Sequence, residues 1–205
     1  MAPGARTTTV DGRELRTRGL RTQARLCEAA TKVFAEKGFH GTRVDDIVRG
    51  ATTSHGTFYL YFGSKEELFE HLVSQVAAEL HRLADSAPTV SRSDASRAEL
   101  RTWIEGIATL YERCGPIITA WTDAELAGKS VGNLGDDLIG SLATSLAERS
   151  SVPKPARLNA ELAALALVTM TERLLYYTAT GQVRAKRDDV IELVCDVIVG
   201  ALAGA

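Results

Sequence analysis

A chain of 205 residues, 45% hydrophobic and 24% charged, has an ordinary globular composition and enough length for a large domain with a small one. The formal net charge of −2 hides an asymmetry, because residues 1–65 carry 11 Lys and Arg against 6 Asp and Glu, and the remainder 13 against 20. A polyanionic partner is therefore expected to meet only the first third, while three widely spaced cysteines (Cys27, Cys114, Cys195) fit reduced thiols and neither a disulfide frame nor a CxxC zinc site.

The N-terminal stretch MAPGARTTTVDGRELRTRG lacks the apolar core of a signal peptide, and no segment approaches the ~20 apolar residues of a membrane span, so a cytoplasmic protein is expected. Residues 1–17, rich in Thr, Gly, Arg and Pro, read as a flexible basic arm. Every later periodic segment is helical. A first helix over 20–37 carries the stripe Leu26, Ala30, Val33 and Phe34, with Gly38 at its left-handed end. A short helix over 44–50 follows, with Thr42 and Asp45 as a capping box in which Asp replaces Glu. ATTS then leads into a second short helix within SHGTFYLYF, and Ser64-Lys-Glu-Glu67 is an S-x-x-E capping box opening a long helix to residue 85. Beyond the loop 86–93, helices are expected over 95–113, stopped by Gly115-Pro116, and over 117–127. A Gly-rich connector (128–135), a helix over 136–149, a turn fixed by Pro153 and Pro155, and two apolar helices over 156–180 and 188–203 complete the chain.

Two short helices joined by a tight turn after a supporting helix make a helix-turn-helix. Four of the chain's twelve Phe, Tyr and Trp residues fall in its second helix. Phe58 and Phe62, four apart, share a face turned inward against Phe34 and Ile47, while Tyr59 and Tyr61 are expected to point outward. An outward Tyr offers a ring to a thymine methyl or sugar and a hydroxyl to a phosphate. Gly56 lets a backbone approach closely, and Lys65 adds its charge to the free N–H groups of a helix start, a phosphate-binding arrangement. The plain alternative is that the tyrosines pack against another helix.

Residues 21–73 carry A-x-x-x-F-x-x-x-G-F (Ala30, Phe34, Gly38, Phe39), T-x-V-D-D-I and T-F-Y-x-Y-F-x-S-K-E-E-L. This stretch resembles the DNA-binding region of TetR-type (TetR/AcrR-like) transcriptional repressors. The resemblance implies that Thr53, His55, Gly56 and Tyr59 face bases, that Thr57, Tyr61 and Lys65 hold phosphates, and that Thr42 and Arg43 touch the DNA backbone, with Ser54 in the same set. Arg21 and Arg25, on or beside the first helix, are expected as further phosphate contacts. One position departs from the pattern: Thr52 stands where a Gly of positive φ is common, a poor place for a β-branched residue. The arm's Arg6, Arg13, Arg16 and Arg18 either enter a minor groove or remain solvated.

For residues 66–205 the resemblance implies a helical ligand-binding and dimerisation domain after the helix-turn-helix domain at 18–65, an all-α architecture of about nine helices. The two final helices are apolar nearly all round, so Leu162, Leu165, Thr169, Val190, Val194, Val197, Ile198 and Ala201 are expected at a four-helix interface of a homodimer, unless a monomeric bundle buries them. Trp103, Ile107, Tyr111, Trp121, Met170 and Tyr177, with Arg173 and Glu172 among the polar neighbours, are the candidate pocket for an apolar or amphipathic effector, although each aromatic alone is more often core. Gly115-Pro116 and the connector would let helices part, and the helix from Ser64 is the natural lever between pocket and DNA. His71 and His81 lie ten apart, outside ligand spacing, and no catalytic arrangement, metal site or cofactor motif is present in the sequence. The expected function is a homodimeric, sequence-specific regulator, a repressor released from palindromic double-stranded DNA by a small ligand. The alternatives are a dimeric ligand-binding or scaffold protein without operator binding, or an activator.

Overall fold

The computed structural model describes residues 8–126, 134–150 and 160–203. Arg6, most of the Gly-rich connector, Pro153, Pro155 and the expected helix start at 156 lie outside them. The described residues form eight helices: α1 (Thr17–Gly41), α2 (Val44–Gly50), α3 (His55–Tyr61), α4 (Lys65–Asp85), α5 (Asp94–Leu126), α6 (Leu134–Glu148), α7 (Ala160–Ala179) and α8 (Arg187–Leu202). The chain divides into two compact units: residues 1–78 with 116–131, and residues 79–115 with 132–205. α4 and α5 each run from one unit into the other.

In the first unit α1 buries the expected stripe, including Leu26, Ala30, Val33 and Phe34. The helix bends at Gly38, whose φ of 67° and ψ of 171° suit a residue without Cβ. The bend returns Phe39 to the core, its ring 5.8 Å from Phe34 and 4.7 Å from Phe69. It also displaces the expected capping box by one residue. The N-cap of α2 is Arg43, whose backbone N–H donates to the Asp46 carboxylate at 3.2 Å. Thr42 is buried instead, its hydroxyl donating to the Gly38 carbonyl at 2.7 Å.

The turn between α2 and α3 keeps its positive-φ position, and Thr52 occupies it at φ 51°. Ser54 then caps α3, accepting from the Thr57 N–H at 3.2 Å. The S-x-x-E box opens α4 as expected, with the Glu67 N–H donating to Ser64 Oγ at 3.1 Å and the Glu67 carboxylate accepting from the Gly63 N–H at 2.6 Å. Residues 8–16, expected as a flexible arm, form an ordered turn. The Gly12 N–H donates to the Thr9 carbonyl at 3.0 Å, and the Val10 N–H donates to the Leu60 carbonyl at 3.0 Å, which ties the segment to α3.

Gly115-Pro116 does not end a helix. Pro116 lies inside α5, so one helix replaces the two expected; the proline's φ is helical, and its missing N–H and the crowding of its ring against the carbonyl four residues back are accommodated within a 33-residue helix. In the second unit α7 packs against α6 and α8, and α8 is held to α5 by Arg97 with Glu192 and Asp196, both at 2.6 Å, and by Arg101 with Glu192. These ion pairs orient α8, and the orientation corrects part of the expected dimer interface. Val190, Val194 and Ile198 are core residues of this unit, 4%, 0% and 1% exposed. Val197 is half-buried, while Leu162, Leu165, Thr169 and Ala201 are exposed.

A β-branched residue in the left-handed region costs about 1–2 kcal/mol, more than the entropy a glycine would lose there. Thr52→Gly is therefore expected to raise Tm by roughly 1–4 °C in a thermal melt, and an unchanged or lowered Tm would refute strain at Thr52.

Candidate nucleic-acid interface and ligand cavity

α3 is two-sided. Phe58 is 0% exposed, Phe62 follows it into the core, and Tyr59 is 50% exposed on the opposite side. Tyr61 corrects the expectation: it is 6% exposed, because its position three residues after Phe58 puts it on the inward face. The outward face carries Ser54, His55, Gly56 and Tyr59 exposed, with Thr53 and Thr57 half-buried; Arg21, Arg25 and Arg43 are exposed on or beside the neighbouring helices, and Thr42 is buried.

Gly56 needs no internal explanation for its missing side chain. A Cβ built there would meet nothing nearer than Ser54 Oγ at 3.9 Å. A helical glycine is about 1 kcal/mol less favourable than alanine, and here the protein's own packing gives no reason for it.

Two polar contacts at this face were not legible in the sequence. His55 Nε2 lies 2.6 Å from Asp45 Oδ1, joining the start of α3 to the first turn of α2. Lys65 is half-buried, its ammonium donating to the carbonyls of Phe39 at 2.8 Å and Thr42 at 3.0 Å and lying 4.4 Å from the centre of the Phe39 ring. Two of its three donors thus clamp the bend after α1. Arg25 belongs to a groove of about 510 Å³ between α1 and α2 that also holds Lys32, Lys37 and Arg49. Those three pair with Glu28 or Asp46 at 2.7–3.5 Å.

The second unit contains a small cavity of about 20 Å³, room for one water molecule. Of the expected pocket residues, Trp103, Ile107 and Tyr111 line it, joined by Leu142, Leu146, Val168, Thr171, Glu172 and Ile198. The others do not. Trp121 is buried in the first unit, and Met170, Arg173 and Tyr177 are exposed on α7 along the face of Leu162, Leu165 and Thr169. The 3.6-residue period separates those positions from Val168 and Thr171.

The Tyr111 hydroxyl donates to Glu172 Oε1 at 3.3 Å, Trp103 Nε1 donates to the Leu83 carbonyl at 2.7 Å, and Thr171 Oγ1, within a residue 5% exposed, has no hydrogen-bond partner. Burial raises the Glu172 carboxyl above its ordinary pKa, against the opposing pull of Arg173.

A helix-turn-helix with a polar, glycine-bearing outer face defines the first unit as a DNA-binding type of structure. Residues 26–72 match the family described as bacterial regulatory proteins, tetR family, and this region is of the TetR type. The chain is 35% identical over 72 residues to the uncharacterized HTH-type transcriptional regulator YdgC of Bacillus subtilis, covering 35% of this chain and 37% of that one. It is 28% identical over 163 residues to the HTH-type transcriptional regulator EthR of Mycobacterium tuberculosis, covering 77% and 75%. The structure of a TetR-like transcriptional regulator from Rhodococcus sp. RHA1, 28% identical, superposes with a TM-score of 0.61 over 91% of this chain and 96% of that one. The chain spans about a third to a half of the length of the first curated relatives it matches. No helix of the described residues is long and apolar enough to cross a membrane.

Hydrogen bonds from a charged group contribute about 1.5–3 kcal/mol, so Lys65→Ala is expected to destabilise the first unit by that order in urea unfolding; an unchanged midpoint would mean that the ammonium is solvated. For Glu172, a raised folded pKa favours folding below the ordinary carboxylate range, and the gain is lost as pH rises through that pKa. Glu172→Gln is thus expected to melt above wild type near neutral pH, with the difference shrinking toward about pH 4. A pH-independent difference would contradict the burial account.

Proposed function

We propose that the chain is a homodimeric, sequence-specific DNA-binding transcriptional regulator, a repressor that leaves a palindromic operator when a small apolar or amphipathic ligand occupies the second unit. The observation that carries this reading is α3 itself: three aromatic side chains anchor it from one side, and the other side presents Ser54, His55, Gly56 and Tyr59 with an unexplained glycine among them. A short helix held in this way can enter a major groove with its N-terminal residues leading. Thr53 and Tyr59 would then meet base edges, and Arg21, Arg25, Arg43 and Thr57 the phosphates. The third donor of Lys65 would add one more phosphate contact beside the helix start. Tyr61 would contribute by fixing α3, not by presenting its ring.

Two recognition helices on successive grooves need a two-fold partner. The exposed apolar face of α7, with Leu162 at 65%, Leu165 at 39% and Met170 at 41%, and the neighbouring Leu193 of α8 at 54%, supplies an interface. Repression needs only that the dimer cover a promoter, whereas activation would need a further surface for the polymerase. For release, Trp103 in the cavity wall bonds to Leu83 near the end of α4, the helix whose first residue is Lys65. A ligand that prefers an arrangement unsuited to the operator by about 100-fold would shift the population off DNA.

The test is sequencing of source-genome fragments captured by the purified protein, stripped of ligand by unfolding and refolding, beside Tyr59→Ala. Enrichment of a few palindromic sites is expected, with Tyr59→Ala weaker by about 1–3 kcal/mol at those sites. No enrichment by refolded wild type would overturn operator binding. Leu165→Asp combined with Leu193→Asp is expected to sediment as a monomer; a persistent dimer would move the interface elsewhere.

A further inference from the structure

We propose that the cavity behind Trp103 and Tyr111 takes a hydrophobic amine, its nitrogen held by the Glu172 carboxylate and the Thr171 hydroxyl and its apolar body against Ile107 and Val168. This rests on the reading of the second unit as the ligand-binding part.

The polar wall of the cavity is specific. Its indole donor is already committed to Leu83, and the Tyr111 hydroxyl is committed to Glu172. What remains is the unpartnered Thr171 Oγ1 and the rest of the Glu172 carboxylate. A buried hydroxyl without a partner is costly and marks a place where a polar group belongs.

The sign of the charge is equally specific. Among the described residues that line the cavity, Glu172 is the one acid and none is Lys, Arg or His. Arg173 lies 3.6 Å from Glu172 Oε2, but its side chain is 51% exposed and its guanidinium lies over the rings of Tyr176 and Tyr177 at 5.4 and 5.6 Å. Its charge is therefore directed outward. A carboxylate head would face Glu172 with no cation among the described lining residues to receive it. An alcohol would satisfy Thr171 and leave the acid to the solvent-exposed Arg173 outside the cavity. An ammonium group satisfies both, restores to Glu172 the charge stabilisation that burial removed, and gains from the faces of Trp103 and Tyr111.

Size agrees with the head group. About 20 Å³ holds one water-sized group, which an ammonium is. The apolar remainder of the ligand must displace Leu142 or Leu146, both from α6.

The experiment titrates the full-length protein with decylamine, decanol and decanoate below their aggregation concentrations, following tryptophan fluorescence. Decylamine is expected to bind about tenfold or more tightly than decanol, with decanoate weakest. Glu172→Gln should bring decylamine to the affinity of decanol and leave decanol unchanged, a retained affinity that also reports an intact fold. Decanol or decanoate binding as well as decylamine, or an amine preference surviving Glu172→Gln, would overturn the ligand class while leaving the cavity as the site. Val168→Trp should fill the cavity and abolish binding of all three, with Leu146→Phe taking its place if that variant does not melt cooperatively. Binding that persists in a folded filled variant would overturn the ligand-site reading itself. No saturable binding of any of the three would overturn both.

Discussion

A seven-residue helix does not hold its shape alone, since its few hydrogen bonds barely offset nucleation. α3 is that short, and the candidate interface depends on it. Phe58, Tyr61 and Phe62 solve the problem by burial, and burying that side determines which residues face out. The surrounding elements serve this arrangement. The bend at Gly38 folds Phe39 onto Phe34 and Phe69, the Lys65 ammonium clamps the carbonyls left by that bend, and the turn at residues 8–16 bonds to the Leu60 carbonyl from the other end. Even the left-handed conformation of Thr52 belongs here, because the turn must keep its geometry for α3 to seat its aromatic side.

α7 plays a comparable double role in the second unit. One side, with Val168, Thr171 and Glu172, walls the small cavity; the other, with Leu162, Leu165 and Met170, is exposed and apolar. A group entering the cavity presses on the helix that also carries the proposed contact with a second copy. On the proposed reading, cavity occupancy and subunit geometry would be coupled through this one helix, without any long chain of intermediates.

Much of the fold was legible because its signals are local. Ser64 and Glu67 announced a helix start, Gly38 announced the end of the first regular stretch, and Thr52 was marked as a residue in a glycine's place. The errors share a cause: tertiary placement decides between readings that local pattern leaves equal. Thr42 and Arg43 compete for one cap, and the bend at Gly38 selects Arg43. Tyr61 resembles Tyr59 in type but lies three residues from Phe58. Val190, Val194 and Ile198 form an apolar stripe that does not say what will cover it, and the ion pairs of Arg97 and Arg101 turn it inward. Gly115-Pro116 read as a stop, yet the long helix α5 carries Pro116 in its interior. Thr171 was missed because a lone threonine in an apolar helix carries no signal until its hydroxyl is seen without a partner.

The central claim, that the outer face of α3 reads the major groove, is tested most directly by dimethyl sulfate footprinting of the bound protein on a fragment it selects. This reagent methylates guanine N7 in the major groove and adenine N3 in the minor groove. Protection of guanines in two clusters about one helical turn apart, or a multiple of it, is expected for paired recognition helices. Protection confined to adenines, or no protection at a fragment that is demonstrably bound, would contradict it.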